Sequence, residues 1–87
     1  MQADKAQITK LLKTVSGQIE GIGKMVEEDR YCIDISNQLL SAISILKKAN
    51  LQIIRGHLTH CVHDALIDGG GEEKVDEMLN ILEKMTK

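Results

Sequence analysis

From Ile33 to Asp68 the chain runs without a proline and with one interior glycine, Gly56, while Leu39, Leu40, Ile43, Leu46, Ile53, Ile54, Leu58, Cys61, Val62, Ala65 and Leu66 keep it apolar at helical spacing. One uninterrupted helix is expected there. At 1.5 Å per residue, about 35 residues make a rod about 52 Å long. A single domain of 87 residues is not that wide, so the helix is expected to reach into a second subunit.

Two shorter helices are expected to flank it. Ile8, Leu12, Val15, Ile19, Ile22 and Val26 step by four, three, four, three and four, a heptad seam widened by Leu11 and Met25. Asp4 followed by Gln7 resembles a capping box at its start, and Glu27-Glu28-Asp29-Arg30 marks its end. After Gly69-Gly70-Gly71, a left-handed cap and turn, Val75, Met78, Leu79, Leu82 and Met85 trace a short third helix. The expected fold is all-α, one domain over residues 1–87 with three helices.

Such a chain is poorly equipped to fold alone. It has no tryptophan, no phenylalanine and one tyrosine, Tyr31, so its apolar area per residue is low. Chains this short usually recruit disulfides, a metal or a partner, and two cysteines supply at most one bridge. Association is the expected remedy. No apolar run approaches the ~20 residues of a membrane span, and the amino terminus lacks the apolar core of a signal peptide. A cytosolic protein with reduced thiols is therefore expected. The net charge of −2 excludes a strongly basic nucleic-acid binder, but residues 1–60 carry eight Lys/Arg against six Asp/Glu and residues 61–87 three against seven. That asymmetry permits DNA contact by the amino-terminal two thirds.

His57 and Cys61, spaced i, i+4, project from one face of the long helix and can share an ion. The only other thiol, Cys32, lies 25 residues before His57, about 37 Å away along the helix. Antiparallel pairing of two long helices about a two-fold axis near Ile45 and Leu46 brings Cys32 of one subunit level with His57 and Cys61 of the other, giving two equivalent sites. Taken singly, a free cysteine is most often a small buried hydrophobe and a lone histidine a satisfied core residue. The symmetry is what favours a site. Two thiolates and an imidazole suit Cu(I), whereas tetrahedral zinc wants a fourth ligand, for which His60 and His63 are the candidates, each more simply read as solvent-facing. A Cys/His pair without an orienting third residue, a phosphate loop or a pocket offers little to catalysis, and no enzyme is expected.

The segments Arg30-Tyr31-Cys32-Ile33-Asp34-Ile35 with Gln38, and Gly56-His57-Leu58-Thr59-His60-Cys61-Val62, resemble the two signature motifs of the copper-sensitive operon repressor (CsoR) family. Gly17-Gln18, Gly21-Ile22 and Met25-Val26-Glu27-Glu28-Asp29 are similar to that family's first helix, so the resemblance spans most of residues 8–66. It implies antiparallel four-helix-bundle dimers that pair into tetramers, bind operator DNA and release it when an inducer binds. It further implies Cu(I) held by Cys32 of one subunit with His57 and Cys61 of the other. Tyr31 and Glu77 match the outer positions that link the metal to the third helix, and Lys48 matches a basic position implicated in DNA binding. The chain departs from the pattern in its first helix, where the family carries several arginines and this sequence has Leu11, Lys13, Thr14, Ser16 and Glu20. With Lys10, Lys13 and Lys48 as the available charges, operator binding is expected to be weaker or differently specified. A related branch senses persulfides through a cysteine pair without the histidine; the same chemistry through Cys32 and Cys61 is the alternative reading, and His57 favours copper.

Overall fold

The structure, a computed structural model, describes residues 1–69 and 71–85; at residues 61, 62, 65, 66, 68, 71, 72 and 74 only the backbone is described. Three α-helices follow in chain order: α1 over Lys5–Glu27, α2 over Cys32–Asp68 and α3 over Gly71–Met85. The central helix is unbroken for 37 residues, as its proline-free pattern predicts.

Asp4 caps α1. Its Oδ1 accepts from the backbone N–H of Ala6 at 2.9 Å and of Gln7 at 3.3 Å, serving two of the four donors a helix start leaves open. Replacing such a cap with alanine typically costs about 1 kcal/mol. The helix ends in a tight turn, with Asp29 in the left-handed region at φ 52° and Arg30 N–H donating to the Met25 carbonyl at 3.0 Å. Gly69, at φ 81°, closes α2 in the same left-handed conformation, the αL cap expected of the glycine run. Gly70 lies outside the described residues.

The heptad seam of α1 divides in two. Ile8, Val15 and Ile22, seven residues apart, are buried, together with Ala42 and Ala49 of α2, also seven apart. Branched residues on α1 and alanines on α2 let the two helices approach closely. The alternate positions Leu12, Ile19 and Val26 stay about half exposed, and so do Leu39, Ile43 and Leu46 on α2. The sequence pattern groups both rows into one seam, because each belongs to a single broad apolar face. Only one row is covered within the chain.

Dimensions state the same deficit. The chain measures 56 × 28 × 12 Å with a Cα radius of gyration of 17.3 Å. A compact domain of this length has a radius near 12 Å. A slab about one helix thick cannot bury both faces of its helices.

One interior glycine is explained by a close approach. A Cβ at Gly56 would lie 2.8 Å from Ala3 Cα and Ala3 N and 3.1 Å from Gln2 C, all backbone atoms. The segment before α1 therefore crosses α2 at Gly56, where only glycine leaves room. That crossing puts the chain's start beside His57.

Candidate metal centre and nucleic-acid interface

His57 stands where three elements meet. It lies half-buried on α2, shares a cleft with Met1, Gln2, Ile53 and Ile54, and faces Glu77 and Ile81 of α3 across it. Its Nε2 is 3.3 Å from Glu77 Oε1. A carboxylate on one ring nitrogen fixes the orientation and tautomer of an imidazole and turns the other nitrogen, here Nδ1, into the metal-binding one. The outer partner assigned to Glu77 is thus at hydrogen-bonding range of the proposed ligand, and it ties α2 to α3.

Cys61 follows one turn after His57 on α2, with its side chain outside the described residues. Cys32 is a free thiol, exposed, at the first position of the same helix. By helical rise it is about 37 Å from His57, and by helical period the two residues lie within about 20° of the same face. That face also carries the exposed Leu39, Ile43 and Leu46. Tyr31, 68% exposed, sits with Cys32 at the far end from His57. The single chain therefore brings His57 and Glu77 together and leaves Cys32 and Tyr31 apart from them. Among the described residues, no group of three metal-binding side chains converges. His60 is exposed and pairs with Asp64, Nε2 to Oδ2 at 3.2 Å, and His63 is exposed, in keeping with their reading as solvent-facing.

The basic residues form a second site on the opposite edge. Lys10 and Lys48 line one groove between α1 and α2 with Gln7, Leu11, Thr14 and Gln52. Lys5, Lys10 and Lys13 line the adjoining groove with Ala6, Thr9 and Thr14. Thr14 Oγ1 donates to the Lys10 carbonyl at 3.0 Å. The three lysines singled out in the sequence are thereby contiguous, and Lys5, which the sequence pattern does not single out, joins them. Neither groove is lined by an acidic residue.

Comparison with known proteins agrees with this architecture. The family described as metal-sensitive transcriptional repressor matches residues 4–84. The chain is 43% identical over 84 residues to the copper-sensing transcriptional repressor CsoR of Bacillus subtilis (strain 168), covering 97% of this chain and 83% of that protein. It is 42% identical over 66 residues to the copper-sensing transcriptional repressor RicR of Mycobacterium tuberculosis (strain ATCC 25618 / H37Rv), covering 76% of this chain and 69% of that one. Its fold superposes with a TM-score of 0.87 and 34% identity on the crystal structure of the copper-sensing repressor CsoR with Cu(I) from Geobacillus thermodenitrificans NG80-2, over 100% of this chain and 94% of that one. With three helices in the same arrangement and a matching profile over nearly its whole length, this chain belongs to the metal-sensitive transcriptional repressor family.

Proposed function

We propose that this chain is a transcriptional repressor that holds operator DNA through the Lys10, Lys13 and Lys48 surface and releases it on binding Cu(I). The observation that carries the reading is His57, paired with Glu77 of α3 and one helical turn from Cys61, on the face that bears Cys32 at its other end. Two thiols and an imidazole are a soft, low-coordinate donor set, which suits a soft monovalent ion better than a hard divalent one. Cys32, His57 and Cys61 would hold the ion; Glu77 would fix the imidazole, with Tyr31 in the outer layer beside Cys32. A persulfide acting on two thiols needs no oriented imidazole, so the His57–Glu77 contact favours the metal reading.

Assembly follows from the same face. Two copies paired antiparallel through Leu39, Ile43 and Leu46 cover the apolar rows that one chain leaves exposed and bring each Cys32 to the partner's metal-binding end. A dimer, and a tetramer built from two, is the state in which the repressor acts, in the cytoplasm where its DNA lies. No helix among the described residues is long and apolar enough to cross a membrane. Coupling runs through His57: a metal ion on Nδ1 changes the ring's geometry toward Glu77, and α3 moves relative to α2.

The deciding experiment titrates a complex of the chain with its own promoter DNA against Cu(I), Zn(II) and a persulfide donor. Release by Cu(I), abolished by His57→Ala, is the expected result; release by the persulfide donor that survives His57→Ala would replace this reading with thiol sensing. The DNA surface makes its own prediction. Reversing Lys13 and Lys48 to glutamate should weaken binding and flatten its salt dependence, by about 0.9 in the log–log slope for each phosphate left without its cation. Unchanged affinity and slope in the double variant would remove this surface from the DNA.

A further inference from the structure

Beyond Lys48, α2 carries a second set of donors on the same side. Arg55 lies seven residues on from Lys48, about 10 Å along the helix and within about 20° of it, and Thr59 and His63 follow at one-turn intervals. The structure gathers Arg55, Thr59, His60 and His63 with Gln2 and Gly56 around one groove, just past the point where α1 begins. Every polar side chain lining it can donate a hydrogen bond, and none is acidic. The nearest carboxylate is Asp64, which is engaged by His60 at 3.2 Å. Arg55 itself is exposed and has no ion pair among the described residues.

Continuity with the lysine grooves identifies the occupant. The groove that holds Lys48 ends at Gln52, and the Arg55 groove starts less than one turn later, so Lys5, Lys10, Lys13, Lys48 and Arg55 form one basic track along the α1–α2 edge. This edge is about 180° around α2 from Leu46, so pairing through the Leu39, Ile43 and Leu46 face leaves it open. A guanidinium with a hydroxyl one turn away presents forked donors to a phosphate oxygen. We propose that Arg55, supported by Thr59 and His63, is a DNA-phosphate anchor that carries the nucleic-acid surface up to the inducer site. It rests on the repressor reading and deepens it, because Arg55 is separated from His57 by Gly56 alone. A change in backbone at His57 reaches this phosphate anchor within the same helical turn, without passing through α3.

The test uses the full chain as Arg55→Gln, with Arg30→Gln as control, since Arg30 faces Glu28 at 3.8 Å and lies off the track. Affinity is measured over a salt series for a duplex of the chain's own promoter and for a random-sequence duplex, with Cu(I) affinity measured alongside. Removing one phosphate anchor predicts roughly tenfold weaker binding to both duplexes and a log–log slope reduced by about 0.9. Cu(I) affinity and helicity should match the parent, and Arg30→Gln should change none of these. Parental affinity and slope in Arg55→Gln, or weaker binding with an unchanged slope, would overturn the assignment. Failure of the parent chain to bind either duplex would instead overturn the repressor reading on which it stands.

Discussion

Subunits carrying Cys32→Ala, mixed and exchanged with subunits carrying Cys61→Ala, should bind Cu(I) tightly where neither variant binds it alone. Each homodimer lacks one thiol at both sites. In the heterodimer one site is missing both thiols and the other keeps Cys32, His57 and Cys61 intact, so the expected stoichiometry is about one Cu(I) per heterodimer. The geometry leaves little room for another outcome. Cys32 and His57 sit at opposite ends of one unbroken helix, about 37 Å apart. They nevertheless lie on one face of it, which is the arrangement that antiparallel pairing converts into proximity. Each homodimer should bind Cu(I) more weakly than the parent by more than the roughly 10- to 100-fold that loss of an outer-sphere partner costs, because a ligand itself is gone. Competition against a Cu(I) chelator, before and after verified subunit exchange, reads this directly. Tight binding by either homodimer, or none after exchange, would exclude a shared site.

Much of this arrangement is legible in the sequence because a helix converts residue number into distance. The absence of proline over residues 33–68 and the i, i+4 spacing of His57 and Cys61 fix the length of α2 and the far position of Cys32 without any knowledge of packing. The Asp4 cap and the left-handed Gly69 are equally local and equally readable. What depends on the partner helix is not. Ile8 and Leu12 read alike in the sequence, yet Ile8 is buried against α2 and Leu12 is half exposed, since only a neighbour's position tells them apart. The approach of Ala3 to Gly56 joins residues far apart in sequence, and its one trace is a glycine in an otherwise unbroken helical pattern. Glu77 illustrates the middle case: the family resemblance alone connects it to the metal site, because no spacing rule joins two helices across a turn. Arg55 is illegible for a related reason. A single charge gains meaning only when the groove beside Lys48 is seen to continue past it.

The exposed row on α2 yields the other large effect. Leu46→Glu should convert the assembled protein to a weakly associating chain, raising the dimer dissociation constant by roughly a hundredfold or more. Two substitutions enter each dimer, one from each subunit. Each removes a leucine whose burial is worth about 1.5–3 kcal/mol and sets a carboxylate in the seam. At about 1.4 kcal/mol per factor of ten, two such losses exceed a hundredfold before the two like charges near the axis repel each other. Ser44→Glu places the same charge on the Lys48 side of α2 and should leave association unchanged, which separates charge from position. Sedimentation over a concentration series measures the constant, and the parent's thermal midpoint should rise with protein concentration while that of Leu46→Glu stays low. The informative readout is copper. Leu46→Glu leaves Cys32, His57, Cys61 and Glu77 in place, so a site contained in one chain would keep its Cu(I) affinity. A site assembled from two chains loses it in step with the dimer and regains it at concentrations where the variant associates, tying the apolar rows and the metal centre to one interface.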